Sequence, residues 1–161
     1  MRIYGPVPSR RFGLSLGVDV LPHKTCSMDC IYCQLGPSES VEITQQEFFA
    51  LEDIVFDVKQ ALIRGPKPNV ITLAGSGEPT LYSRLGELID CLHALCDIPI
   101  LVITNSTMLH IDKTAKAVMK SDILAPSLDA GDEETYWRVN RTHKAISYDL
   151  MFEGLRRVTH E

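Results

Sequence analysis

Cys26-Ser-Met-Asp-Cys30-Ile-Tyr32-Cys33 brings three cysteines into eight residues of the chain. Thiolates favour soft metals and iron–sulfur clusters. A closed structural zinc site and an ordinary four-iron cluster each take four protein ligands. A set of three therefore predicts a metal site with one coordination position left open for chemistry.

Zinc is the main alternative for this loop, with His23 or a distant cysteine as the fourth ligand. Cys30-Ile-Tyr-Cys33 has the spacing of a common zinc half-site. Cys91 and Cys96 do not supply the second half, because residues five apart on a helix point in different directions. We interpret these two cysteines as small apolar packing residues.

Length and composition indicate one globular domain over residues 1–161. The odd count of five cysteines argues against a disulfide framework and favours a reducing compartment. The N-terminus lacks the apolar stretch of a signal peptide, and no run approaches the roughly 18 apolar residues of a membrane span. We expect a cytoplasmic protein without a membrane partner. The net charge of −5 does not favour broad nucleic-acid binding, although Arg2, Arg10, Arg11 and Lys24 make the first segment locally basic.

Strand and helix patterns alternate along the chain. Apolar runs predict four strands, over residues 15–21, 70–74, 99–104 and 122–128. The capping box Thr44-Gln-Gln-Glu47 predicts the start of a first helix, which Gly65-Pro66 ends. A second helix follows over residues 85–95, and Asp112, Asp132 and Ser147 are candidate caps of three more. This alternation predicts a parallel sheet.

The residues suited to chemistry follow the predicted strands. They are the cysteine loop, the run Gly75-Ser-Gly-Glu-Pro-Thr80, Asn105-Ser106, and Ser127-Leu-Asp129. The loops after parallel strands share one rim of the sheet. Four such loops on one rim predict a site there.

These motifs resemble those of the radical S-adenosylmethionine (SAM) superfamily. The cysteine spacing matches, with the aromatic Tyr32 before Cys33, and Ser76-Gly77-Glu78-Pro79 is similar to the Gly-Gly-Glu-Pro loop. Ser76 departs from the usual first glycine. Thr104-Asn105-Ser106 resembles a Thr-Asn-Gly run, and Ser127-Leu-Asp129-Ala a fourth-strand motif. Tyr4-Gly-Pro-Val-Pro-Ser-Arg-Arg11, with Cys30-Ile-Tyr-Cys33-Gln-Leu-Gly, resembles a group of microbial oxidoreductases classed with wyosine-type tRNA modification enzymes.

The resemblance implies an α/β fold, a partial parallel (βα) barrel of the radical SAM type. It implies a [4Fe–4S] cluster on Cys26, Cys30 and Cys33 whose open iron binds SAM. Reductive cleavage of SAM then yields a 5′-deoxyadenosyl radical that abstracts hydrogen from substrate. It also implies a cofactor-binding set around the cluster: Tyr32 near the adenine, Gly77 and Glu78 at the methionine amino group, and Asn105, Ser127 and Asp129 at the nucleoside or carboxylate.

The resemblance further implies an electron donor such as flavodoxin or ferredoxin, and a substrate that is RNA or a small molecule. The superfamily core usually has about six strands, whereas four are predicted here, so we expect the C-terminal strands to be missing. A truncated gene, completion by a separate polypeptide and a short form with a reduced role are the three explanations. A non-catalytic iron–sulfur or electron-transfer fragment and a zinc-binding module stand as alternative functions.

Overall fold

Five strands form one sheet in this computed structural model, which describes residues 2–159. Their spatial order follows their order along the chain, from β1 at one edge to β5 at the other. The strands are β1 Ile3–Ser9, β2 Gly13–Val18, β3 Val70–Leu73, β4 Ile100–Thr104 and β5 Ile123–Pro126. β2 to β5 are parallel and are the four strands that the sequence predicts. The sheet is not closed, as expected for a partial barrel.

β1 is the strand that sequence patterns miss. It pairs antiparallel with β2, with a register shift between Tyr4 and Val7. Pro6 and Pro8 argue against a strand because proline lacks the N–H that a ladder needs. An edge strand tolerates them, since one side of its backbone is unpaired. β1 therefore covers the β2 edge of the parallel sheet, and β5 is left at the other edge.

The helices begin and end close to the predicted positions, with two exceptions. They are α1 Leu51–Arg64, α2 Leu85–Leu95, α3 Asp112–Val118, α4 Glu133–Asn140 and α5 Tyr148–Thr159. The prediction that α1 starts at the Thr44–Glu47 capping box is wrong: its N-cap is Ala50, and Glu47 instead accepts a hydrogen bond from the Leu51 amide at 3.2 Å. Asp112 is the first residue of α3 and not its cap.

The caps of the last two helices are confirmed. The Asp132 carboxylate accepts from the Thr135 amide at 2.8 Å, and the Ser147 hydroxyl accepts from the Leu150 amide at 3.2 Å. Between residues 2 and 159, no helix combines the length and the apolar character needed to cross a lipid bilayer.

The two faces of the sheet differ in burial. Side chains of one face join the helices in a single apolar core: Leu16, Val18, Ile71, Leu73, Ile100 and Val102. Side chains alternate between faces along a strand, so Leu101 and Ile103 lie on the other face. Ile103 is 41% exposed there, whereas Ile100 is fully buried. The helices therefore cover one face and leave part of the opposite face open.

This difference predicts unequal costs for the same substitution on one strand. Ile100→Ala removes core packing and is expected to lower the free energy of unfolding by about 2–5 kcal/mol. Ile103→Ala is the matched control and is expected to cost at most about 1 kcal/mol. Urea unfolding measures both values, and equal costs would contradict the assignment of the two faces.

Candidate functional site

The loops after the four parallel strands meet at the carboxyl edge of the sheet, as predicted. The cysteine loop follows β2, Gly75–Glu78 follows β3, Asn105 follows β4, and Ser127 and Asp129 follow β5. Hydrogen bonds join each loop to a neighbour, so the four loops form one connected structure.

Two glycines let the loop after β3 approach its neighbours. The Glu78 amide donates to the carbonyl oxygen of Thr25 at 3.0 Å, directly before Cys26. A Cβ on Gly77 would lie 1.8 Å from that oxygen. Gly75 has a φ of +153°, and a Cβ there would meet Asp19. Only glycine permits these approaches, so the β3 loop supports the start of the cysteine loop.

The Glu78 carboxylate is buried and accepts four hydrogen bonds. Oε1 accepts from the Thr80 amide at 3.0 Å, the Thr80 hydroxyl at 2.5 Å and the Thr104 hydroxyl at 2.6 Å, and Oε2 accepts from the Asn105 amide at 2.6 Å. Burial raises the pKa of Glu78, and the hydrogen bonds oppose that shift. The side chain thus binds the end of β3 to the end of β4.

Asn105 carries the connection from Glu78 to the cysteines. Its Nδ2 lies 3.5 Å from the Cys26 sulfur and donates to the Ser27 hydroxyl at 3.0 Å. Its Oδ1 accepts from the amide and the hydroxyl of Thr107. The orientation of the Asn105 amide is therefore set from both ends, with an N–H directed at Cys26.

Backbone hydrogen bonds dock the cysteine loop on the C-terminal end of α4. The Asp29 amide donates to the Asn140 carbonyl at 3.1 Å, and the Ile31 amide donates to the Val139 carbonyl at 3.0 Å. The His143 amide donates to the Ser27 carbonyl at 3.0 Å. The first two contacts satisfy terminal carbonyls of α4, and all three hold the loop in place.

Tyr32 and Asp129 meet across the rim. The Tyr32 hydroxyl donates to the Asp129 carboxylate, and the Asn140 side-chain amide donates to the same carboxylate at 3.0 Å. Burial and this hydrogen bond raise the pKa of the Tyr32 phenol. The residue as a whole is still 58% exposed. Its hydroxyl is thus fixed while much of the ring remains accessible.

Ser106 and Ser127 connect β4 to β5. The Ser127 amide donates to the Thr104 carbonyl at 2.9 Å, and the Ser106 hydroxyl donates to the Ser127 carbonyl at 2.8 Å. Ser106 has a φ of +73°, a conformation that favours glycine. A glycine, as in the Thr-Asn-Gly run that this segment resembles, would adopt that backbone readily, and the Ser106 hydroxyl contributes a bond that glycine could not make.

The three cysteines suit soft-metal ligation by their chemistry. All five cysteines are free thiols, and Cys91 and Cys96 pack against the core as predicted. Side-chain amides lie within hydrogen-bonding distance of two loop sulfurs, Asn105 at Cys26 and Asn140 at Cys30. Burial and the Glu78 charge raise the pKa of Cys26 to about 12, so binding of a metal there displaces a proton. Within residues 2–159, no three or more His, Cys, Asp or Glu side chains converge as a metal site.

A family model described as the Radical SAM superfamily matches residues 20–160, which is most of the chain. The chain belongs to the Radical SAM superfamily. The matched range contains every candidate residue at the carboxyl edge of the sheet, and the predicted resemblance is confirmed.

Curated relatives of this radical SAM chain are longer proteins. It is 42% identical over 154 residues to a protein of Brachyspira hyodysenteriae named GTPase Obg, covering 96% of this chain and 23% of that protein. It is 36% identical over 154 residues to a UPF0026 protein of Methanocaldococcus jannaschii, covering 94% of this chain and 48% of that one. The chain thus spans about half or less of these relatives. Its sequence has no Gly-Lys pair of a P-loop.

Solved structures support the radical SAM fold. "Native anSMEcpe with bound AdoMet" superposes with a TM-score of 0.67 at 19% identity, covering 91% of this chain and 40% of that one. "Crystal structure of archaeal TYW1" superposes with a TM-score of 0.52 at 18% identity, covering 89% and 49%. At these identities the likeness concerns the fold alone.

The contacts made by Asn140 and Thr104 are not predicted by the sequence. Asn140-Arg-Thr-His143, between two helical pieces, has two interpretations from the sequence alone: a solvated loop, or a segment that reaches anionic groups of a cofactor or substrate. Nothing local indicates that it reaches the cysteines, 110 residues earlier. Thr104 begins the run that resembles Thr-Asn-Gly, but that run assigns no role to its side chain. Both roles depend on long-range contacts that the sequence pattern does not contain.

The close approach at Gly77 predicts that Gly77→Ala displaces the cysteine loop. Overpacking is expected to lower the free energy of unfolding by about 1–3 kcal/mol or more. Gly131→Ala is the matched control, because no atom lies within 4 Å of a Cβ at that position. Denaturant unfolding of both variants measures the difference, and a Gly77→Ala protein as stable as Gly131→Ala would contradict the described contact.

The raised pKa of Glu78 predicts a pH-dependent stability term. The pKa of Glu78 is higher in the folded protein than the value of 4.5 that applies to the unfolded chain. The protonated carboxyl therefore stabilises the fold fully at pH values below 4.5. This stabilisation is lost as the pH rises through the pKa of the folded state. The wild type should therefore lose stability relative to Glu78→Gln as pH is raised from about 4 to about 8. A difference between the two unfolding free energies that stays constant across this range would refute the shift.

Proposed function

We propose that this chain is a radical SAM iron–sulfur enzyme, by itself or as the N-terminal part of a longer one. In this proposal residues 1–161 are one core domain that binds a [4Fe–4S] cluster through Cys26, Cys30 and Cys33 and binds SAM beside it. One observation carries the proposal. The three-cysteine loop lies at the carboxyl edge of the sheet, braced by the loops after β3 and β4, with side-chain amides directed at two of its sulfurs.

The bound cluster and SAM supply one-electron reductive chemistry, and the protein supplies binding and orientation. Cys26, Cys30 and Cys33 are the proposed ligands. Gly77 is proposed to lie at the methionine amino group of SAM, and its lack of a side chain lets this loop pack against the Thr25 carbonyl of the cysteine loop. The buried Glu78 carboxylate is occupied by four hydrogen bonds, so its role is to hold the loops that form the amino-group site.

The nucleoside part of SAM is assigned to the β4 and β5 side of the rim. The exposed ring of Tyr32 offers an apolar face for the adenine, while Asp129 holds its hydroxyl. Asn105 and Ser127 complete this side. All these residues lie on loops tied to the sheet, which is the arrangement that keeps a binding site ordered.

The proposal includes a one-electron donor of the flavodoxin or ferredoxin class and leaves the substrate class open. The basic first segment does not favour RNA, because two of its cations are neutralised. Arg2 pairs with Asp57 at 2.8 Å and with Asp53 at 3.6 Å, and Lys24 pairs with Asp29 at 3.8 Å.

Cys30→Ala tests the ligand assignment. After anaerobic reconstitution with iron and sulfide, the variant is expected to retain less than about a tenth of the wild-type iron and sulfide, because a four-iron cluster on three thiolates loses a ligand. Cys91→Ala is the control, since this cysteine packs against the core away from the loop, and should match the wild type. Full iron and sulfide in Cys30→Ala would exclude the assignment.

Addition of SAM to the reduced wild-type protein tests the enzymatic assignment. A four-iron electron paramagnetic resonance signal that changes on addition, together with SAM cleavage under a strong chemical reductant, is the expected result. A cluster signal that does not change when SAM is added, together with no cleavage of SAM, would favour the non-catalytic electron-transfer alternative. Zinc in metal analysis, with no visible reducible chromophore, would favour the zinc module.

A further inference from the structure

We propose that Asn140 is a positioning residue for Cys30, and that its side-chain amide sets the reduction potential of the bound cluster. The inference rests on the proposed function, since it concerns the cluster assigned to the cysteine loop. It adds a residue of α4, outside the four rim loops, to the surroundings of that cluster.

Asn140 is held firmly by its backbone. It is the last residue of α4 and is 1% exposed. Its carbonyl oxygen accepts a hydrogen bond from the Asp29 amide at 3.1 Å, one residue before Cys30. The helix end and the cysteine loop are therefore joined, and the side chain of Asn140 is directed into the loop.

The amide nitrogen faces three acceptors. Nδ2 lies 3.4 Å from the Cys30 sulfur, 3.3 Å from the Tyr32 hydroxyl oxygen and 3.0 Å from Asp129 Oδ2. The flipped amide would place its oxygen against a carboxylate, which is unfavourable, so the hydrogen-bond network decides this orientation. The amide thus connects a proposed cluster ligand with the two residues proposed beside the adenine.

The carbonyl of the same side chain is left without a partner. Among the described residues, no hydrogen-bond donor reaches the buried Oδ1 of Asn140. A buried, unsatisfied acceptor lowers stability, and native proteins keep few of them. An asparagine at this position is therefore poorly explained by stability, and is explained by the N–H groups that its amide directs at Cys30, Tyr32 and Asp129.

An N–H directed at a ligand sulfur favours the more negative state of a cluster. Hydrogen bonds to the sulfurs are one of the factors that set iron–sulfur potentials. Reduction adds one negative charge, so the Asn140 amide stabilises the reduced form and raises the potential. Removal of the amide should make the cluster harder to reduce.

Asn140→Leu removes the donor without adding charge. In dye-mediated redox titrations of the reconstituted protein, we expect the ratio of reduced to oxidised cluster at fixed potential to fall about tenfold, equivalent to a shift of about 59 mV to more negative potential for a one-electron couple. Asn140→Gln retains an amide and should recover most of the shift. Asn69→Leu is the control, because Asn69 is exposed and bonds the Leu14 amide at the opposite edge of the sheet. A wild-type potential in Asn140→Leu, at full iron content, would overturn the inference.

A second measurement does not depend on the folding of Asn140→Leu. Wild-type protein labelled with ¹⁵N only at asparagine Nδ2 should give pulsed electron paramagnetic resonance couplings from two side-chain amides, Asn140 and Asn105. Asn140→Gln carries no label at residue 140 and should lose one coupling. An unchanged spectrum would refute the inference while leaving the proposed function intact. A wild-type protein that assembles no cluster would overturn both.

Discussion

The buried carboxylate of Glu78 is the interaction on which the rim of the sheet depends. Its four hydrogen bonds join the loop after β3 to the end of β4. One of them comes from the backbone amide of Asn105, and the side chain of Asn105 reaches Cys26. A buried carboxyl is costly unless its oxygens are satisfied. Two threonine hydroxyls and two backbone amides satisfy it here, so a group that is costly to bury also helps to hold the cysteine loop.

The cysteine loop is supported from two sides by different means. On the sheet side the support depends on a glycine. Because Gly77 has no side chain, the Glu78 backbone amide can reach the Thr25 carbonyl. The helix side uses the end of α4, where backbone amides of the loop bond to helix carbonyls and Asn140 reaches Cys30. Both supports hold the backbone of the loop in one position on the sheet. The site proposed on this loop has an open coordination position and no fourth protein ligand, so it depends on this support of the loop.

Particular residues explain where prediction from the sequence succeeded and where it failed. The parallel strands were predictable because strands covered on both faces are continuous apolar runs, as in Val70–Leu73. β1 was missed because Pro6 and Pro8 disrupt the pattern, and only its edge position accommodates them. The start of α1 was misplaced because Glu47 bonds the Leu51 amide from outside the helix.

The sequence by itself determined the family, the three proposed ligands and the rim on which they lie, because these follow from local spacing and from the order of strands and loops. The tertiary structure alone decided that Glu78 is buried and occupied, that Ser106 adopts a glycine-like backbone, and that Asn140 lies at Cys30. The reason is physical: spacing along a chain indicates which residues share a face or a loop. Contacts between residues 27 or 110 positions apart exist only after the core has packed.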